Sequence, residues 1–94
     1  MKTFKELLES ISEGDLVAGF QFFVISPNGR SLSRYKVIGE EEQAVGTVLE
    51  VKHTVVAGDK FEQKFIGKDF VLGTKSKGQQ VFKKRAQANK AFKG

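Results

Sequence analysis

Residues 20–38 read Phe20-Gln21-Phe22-Phe23-Val24-Ile25-Ser26-Pro27-Asn28-Gly29-Arg30-Ser31-Leu32-Ser33-Arg34-Tyr35-Lys36-Val37-Ile38, two β-prone runs around a turn. Pro27 presets φ for the turn, and Asn28-Gly29 tolerates positive φ. A strand is expected from Leu16 to Ile25, with Phe20, Phe22 and Val24 on one face and Phe23 and Ile25 on the other. A strand that is apolar on both faces must be covered on both. Its partner is expected from Ser31 to Ile38, with Arg34 and Lys36 at polar positions.

Downstream, Gly39-Glu40-Glu41-Glu42 reads as an acidic loop and Ala44 to Val56 as a third strand. Alternation puts Val45, Leu49, Val51 and Val55 on one face of that strand and Glu50 and Lys52 on the other. Its length predicts a bend near Gly46. After a tight connection at Ala57-Gly58-Asp59-Lys60, Phe61 to Ile66 is expected as a fourth strand, with Phe61 and Phe65 facing the same way. Gly67-Lys68-Asp69 then turns the chain into a fifth short strand, Phe70-Val71-Leu72. Upstream, Thr3-Phe4-Lys5-Glu6 has the form of a capping box. Phe4, Leu7, Leu8 and Ile11 follow at helical spacing, which predicts a short amphipathic helix from Phe4 to Ser12, stopped by Ser12-Glu13-Gly14-Asp15.

Strands joined by turns, with no strand–helix alternation, predict an antiparallel meander. Over six residues, Gly46-Thr47-Val48-Leu49-Glu50-Val51 resembles the strand motif of KOW and other SH3-like small barrels. That likeness implies a fold and no function. The expected class is therefore α+β. It consists of a short N-terminal helix plus a strongly bent five-stranded antiparallel sheet or small SH3-like barrel, with a basic C-terminal tail or helix. An open sheet with the helix across one face is the alternative. The expected organisation is a β-rich globular domain over 1–73 and a basic tail of helix-forming composition over 74–94.

With 94 residues the chain holds one domain with a modest core. It has no cysteine, so neither a disulfide nor a thiolate metal site reinforces that core. The nine phenylalanines, with no tryptophan and one tyrosine, are expected mainly inside, because the ring has no polar handle. Met1 to Glu6 lacks the apolar stretch of a signal peptide, and no segment approaches the length of a bilayer span. A cytoplasmic location with no membrane contact is the expectation that follows.

Catalytic and metal chemistry find little to work with. His53, the one histidine, falls on the strand face of Val51 and Val55 and reads as a core-edge residue. Glu40-Glu41-Glu42 lacks the alternating ligands of a calcium loop. The stretch from Gly67 to Gly73-Thr74-Lys75-Ser76 fails the phosphate-loop spacing, and no β-α unit surrounds it. The expectation is a non-enzymatic binding protein with no cofactor and no metal.

Charge segregation is the strongest functional signal. From Thr74 onward there are seven cations and no acid: Lys75, Lys77, Lys83, Lys84, Arg85, Lys90 and Lys93. Residues 1–73 hold nine basic and eleven acidic groups, a net charge of −2. Such a terminus is suited to nucleic-acid phosphates, DNA or RNA, bound without sequence preference. Arg34 and Lys36 would extend that surface onto the sheet, as would Arg30 and Lys52, and Phe82 and Phe92 could stack on bases. Two alternatives stand beside this reading. One is a compact interaction factor of the kind viruses and phages use to redirect a host protein, and the other is a structural subunit of an assembly. Oligomeric state is not legible in the sequence.

Overall fold

The structure, a computed structural model, describes residues 11–72 and 80–93. Its centre is a five-stranded antiparallel sheet curled into a half-barrel. Strands β1 (Gln21–Ile25), β2 (Ser31–Gln43), β3 (Gly46–Gly58) and β4 (Phe65–Gly67) form a meander. β5 (Val81–Phe82) adds to the far edge, giving the order β4-β3-β2-β1-β5. Helix α1 (Lys68–Leu72) follows β4, and helix α2 (Arg85–Lys93) ends the described chain. A single 3-10 turn, Glu13–Asp15, precedes the sheet. The expected helix over Phe4 to Ser12 lies outside the described residues up to residue 10.

The β1–β2 hairpin forms as its sequence predicts. Gly29 takes φ 72°, its N–H donates to Ser26 O at 2.8 Å, and the Asn28 side chain accepts from Arg30 N–H at 3.0 Å. The ladder pairs Phe22 with Tyr35 and Val24 with Ser33 on one face. On the other it pairs Gln21 with Lys36, Phe23 with Arg34 and Ile25 with Leu32.

Each face has its own core. The inner face carries the larger one, in which Phe22, Val24, Tyr35, Val37, Leu49 and Val51 pack with Leu16, Ile66 and Val71 of α1. The outer face carries Phe23, Ile25 and Leu32, covered by Ala88 of α2, with Phe82 and Phe92 packed alongside. Residues 80–93, expected as a tail or helix, thus supply an edge strand and the outer cover of β1. The α2 helix is present over Arg85–Lys93, and Ala88 is fully buried.

Several sequence expectations are corrected. β1 begins at Gln21 rather than Leu16, because Gly19 at φ 99° and a Phe20 N–H to Val17 O bond of 3.0 Å make a turn there. β2 does not stop at Ile38. The expected acidic loop is its second half, where Glu40 pairs with Leu49, Glu41 with Val48 and Glu42 with Thr47. Ala44 and Val45 form the hairpin turn, Gly46 at φ 118° opens β3 opposite Gln43, and Val45 is exposed instead of facing inward. The bend comes from register shifts at Leu32/Ser33 and Val37/Gly39, since a bulge adds local twist.

The expected fourth strand shrinks to Phe65–Gly67. Residues 59–63 leave the β3 edge and arch over the inner face. They are held by Asp59 N–H to Arg30 O at 3.1 Å, Ser31 Oγ–H to Asp59 O at 2.8 Å and Tyr35 O–H to Gln63 Oε1 at 2.5 Å. The expected fifth strand, Phe70-Val71-Leu72, is helical and drives Val71 into the core. The true fifth strand is Val81–Phe82, which the sequence reading placed in the tail.

Gly58 is the tightest backbone position. It sits at φ 89°, and an added Cβ would lie 1.9 Å from Arg30 O. Gly46 shares a positive φ, but nothing lies within 4 Å of its Cβ direction. Gly58→Ala is therefore expected to cost at least about 3 kcal/mol, combining φ strain with a backbone clash. Gly46→Ala is expected to cost only about 1–2 kcal/mol, from φ alone. Urea denaturation of the two variants checks the difference.

Candidate nucleic-acid interface

The outer face gathers the cations. In the β1–β2 ladder, Arg34 and Lys36 alternate with Leu32 on the face that α2 covers. Lys36 is directly opposite Lys52 of β3, and Arg34 is opposite Thr54. Lys36 and Lys52 are exposed and Arg34 is half-buried. Lys84, Arg85 and Lys90, just before and within α2, are exposed on the same side of the sheet. None of these six takes part in an ion pair among the described residues. Like charges directly opposite on a sheet face repel, so the Lys36–Lys52 pair opposes folding unless an anion is present. Arg30 lies outside this group, exposed in the β1–β2 turn.

The remaining sequence-predicted cations divide. Lys83 Nζ is 3.4 Å from Asp15 Oδ2, tying the C-terminal segment to the 3-10 turn. Asp15 also accepts from Ser12 N–H at 3.0 Å and Ser12 Oγ–H at 3.2 Å. The Ser12 backbone N–H leads the effects that hold its carboxyl below the usual range, and Lys83 adds to them. Lys75 and Lys77 lie outside the described residues. Lys93 closes α2. Phe82 and Phe92, read as able to stack on bases or insert into a partner, pack half-buried against the Phe23–Ile25–Leu32 cluster.

The acids sit elsewhere. Glu40 and Glu13 converge on Lys68 Nζ of α1, at 2.9 and 3.0 Å, and raise its pKa, Glu40 foremost. Glu42 Oε1 accepts from Thr47 Oγ–H at 2.6 Å. Glu41 and Glu50 share the outer face but lie toward the β2–β3 turn, past the Val37/Gly39 shift. The acidic run therefore does not neutralise α2.

Sequence reasoning missed the inner-face aromatic row. Ring centroids are separated by 6.2 Å for Phe20–Phe22, 5.4 Å for Phe22–Tyr35, 4.7 Å for Tyr35–His53 and 4.6 Å for His53–Phe61. Burial pushes the Tyr35 phenol up to about 12, so it stays a proton donor to Gln63. His53 does lie on the expected face. Its Nε2 is buried without a partner, and desolvation pushes its pKa down. The visible signal was alternation: Phe20, Phe22, Tyr35 and His53 all occupy inward positions once register is known.

The sign of the His53 effect follows from its surroundings. The unfolded imidazole takes up a proton near its ordinary 6.5, whereas the folded one does so only at lower pH. Stability is therefore whole above that value and declines as pH falls through the folded pKa. Urea midpoints measured from about pH 7.5 down to about pH 5 should fall for the native protein and stay nearly flat for His53→Phe in that window.

No protein-family model, no curated protein and no solved structure matches this chain.

Proposed function

We propose that this protein is a non-enzymatic module that binds nucleic acid, DNA or RNA, through phosphate contacts on the outer sheet face and α2. One observation carries this reading: Lys36 and Lys52 face each other with neither in an ion pair among the described residues, on the side of the sheet that α2, with Lys84, Arg85 and Lys90, covers. Such a surface gains by exchanging condensed counterions of a polyanion for its own cations. Lysines contact phosphate as point charges, and phosphate contacts carry no sequence information, so binding through them is sequence-tolerant. The bent meander is a small-barrel scaffold of the SH3-like kind, which presents the cations on one wall. Lys75, Lys77 and Lys93 add charge along the same C-terminal segment, and Lys83 is shared with Asp15.

A second reading has its own observation. β4 pairs only with Val48 to Glu50, so β3 from Lys52 to Ala57 has no strand on that side among the described residues. An open strand edge of this length accepts a β-strand from a protein partner. Partners that survive nuclease and moderate salt in a pull-down would favour that reading, and partners lost with the nucleic acid would favour the first.

Fluorescence anisotropy across a salt series tests the proposal. Contacts from Arg34, Lys36, Lys52, Lys84, Arg85 and Lys90 give an expected slope of log affinity against log salt near about −5 on duplex DNA. The double variant Lys36→Glu, Lys52→Glu should reduce that slope by about two and weaken binding on the order of 100-fold at about 0.1 M salt. Its urea midpoint is expected to stay close to the native value, since one directly opposed like-charge pair replaces another. Unchanged affinity and slope would remove the sheet face from the mechanism. Charge reversal is preferred to truncation at Gly73, because truncation would uncover Phe23, Ile25 and Leu32.

A further inference from the structure

We infer that the inner side of the half-barrel is a binding site for a small, uncharged, planar aromatic compound carrying one hydrogen-bonding group. This site is separate from the cationic outer face and does not depend on nucleic-acid binding. A cavity of about 560 Å³ opens between the sheet and the 59–63 arch. Val24, Ser33 and Tyr35 form its floor, and Phe61, Ile66 and Phe70 its walls. That volume falls within the range of small-molecule sites, and the lining combines mostly apolar surface with a few polar groups, as such sites do.

Three features set the ligand chemistry. First, Ser33 is 2% exposed, lines the cavity, and its Oγ has no hydrogen-bond partner among the described residues. It occupies an inward position whose neighbours along the face are Val24, Tyr35 and Val55. A hydroxyl buried there without a partner is costly, and a ligand group that bonds to it removes the cost. Second, the row from Phe22 through Tyr35 and His53 to Phe61 ends at the cavity wall, so ring faces and edges are already oriented by their neighbours. Offset and edge-on contacts to those rings favour a flat aromatic body. Third, the charged lining residues, Asp59 and Lys60, are adjacent, opposite in sign and both exposed. Their fields largely cancel, which leaves no net attraction for a charged ligand.

The arch creates this space. Had residues 59–63 continued the β3–β4 ladder, as the expected fourth strand would, they would lie beside β3 rather than over the inner face. The bonds from Ser31, Tyr35 and Arg30 hold them off the edge.

The test uses the full-length, ¹⁵N-labelled protein and two isosteric probes, indole with an N–H donor and indene without one. Indole is expected to give saturable amide shifts at about millimolar concentration or below, confined to residues around Ser33, Tyr35, Gln63 and Ile66. Ser33→Ala should weaken indole at least about fivefold and leave indene within about twofold, because only indole uses the hydroxyl. Phe61→Ala should weaken both probes. The Lys36→Glu, Lys52→Glu variant should bind indole as the native protein does, which keeps this result apart from the fate of the nucleic-acid reading. Absence of saturable shifts with the native protein would overturn the inference, as would shifts centred on α2. Equal loss of indole and indene in Ser33→Ala would overturn the assigned role of the hydroxyl.

Discussion

The two-sided burial of β1 is the constraint on which the rest of the structure depends. Four of its five residues are buried, Phe22 and Val24 inward and Phe23 and Ile25 outward. A strand like this is stable only where apolar groups cover it from both directions. The inner cover comes from Leu16, the neighbouring strands and α1. The outer cover comes from α2, through Ala88 and Phe92. Because the outer cover is drawn from the most cationic part of the chain, burying Phe23 and Ile25 also brings positive charge onto the sheet. Fold and electrostatics are thus coupled through one hydrophobic requirement.

Bending is the second organising feature. The β2–β3 hairpin is two 13-residue strands, too long to stay flat against so small a core. Its two register shifts curl it, and the 59–63 arch then crosses the inner face instead of extending the sheet. This leaves a cavity beneath the arch and a β3 edge with no strand beside it from Lys52 to Ala57 among the described residues. The His53 imidazole is the link between them, in tilted ring contact with Tyr35 on one side and Phe61 on the other. Desolvation lowers its pKa and so favours the neutral ring on which the arch rests.

Charge is divided by position as well as by number. Glu13 and Glu40 gather on Lys68 beside α1, and the outer-face acids Glu41 and Glu50 lie toward the hairpin turn. The outer-face cations lie toward α2. Half-buried surface pairs such as Lys83–Asp15 add little stability, so their main effect is to fix where the charges sit. The result is a surface with separate basic and acidic regions, whose fields reach roughly a Debye length into solvent.

Much of this was legible before any coordinates. The Pro27-Asn28-Gly29 turn, the facing of Phe22 against Phe23, the antiparallel order of the first strands and the cationic C-terminal segment all follow from local chemistry: fixed φ, strand alternation and uncompensated charge. What failed was reading each segment by its own composition. Glu40-Glu41-Glu42 looks like a loop, yet it is strand, because pairing with Thr47, Val48 and Leu49 satisfies its backbone while its side chains remain in solvent. Phe70-Val71-Leu72 looks like strand, yet it is helix, because one turn is enough to place Val71 over the core. Val81-Phe82 and Ala88 look like part of a solvated tail, and only the bare outer surface of β1 gives them a reason to pack. The hairpin, the alternating faces and the charge imbalance are local properties, since they depend on neighbours along the chain. The second cover of β1, the arch with its cavity, and the pairing of Lys36 with Lys52 on the face that α2 covers arise only in the folded chain. Those depend on which distant surfaces are left uncovered, and no local propensity encodes that.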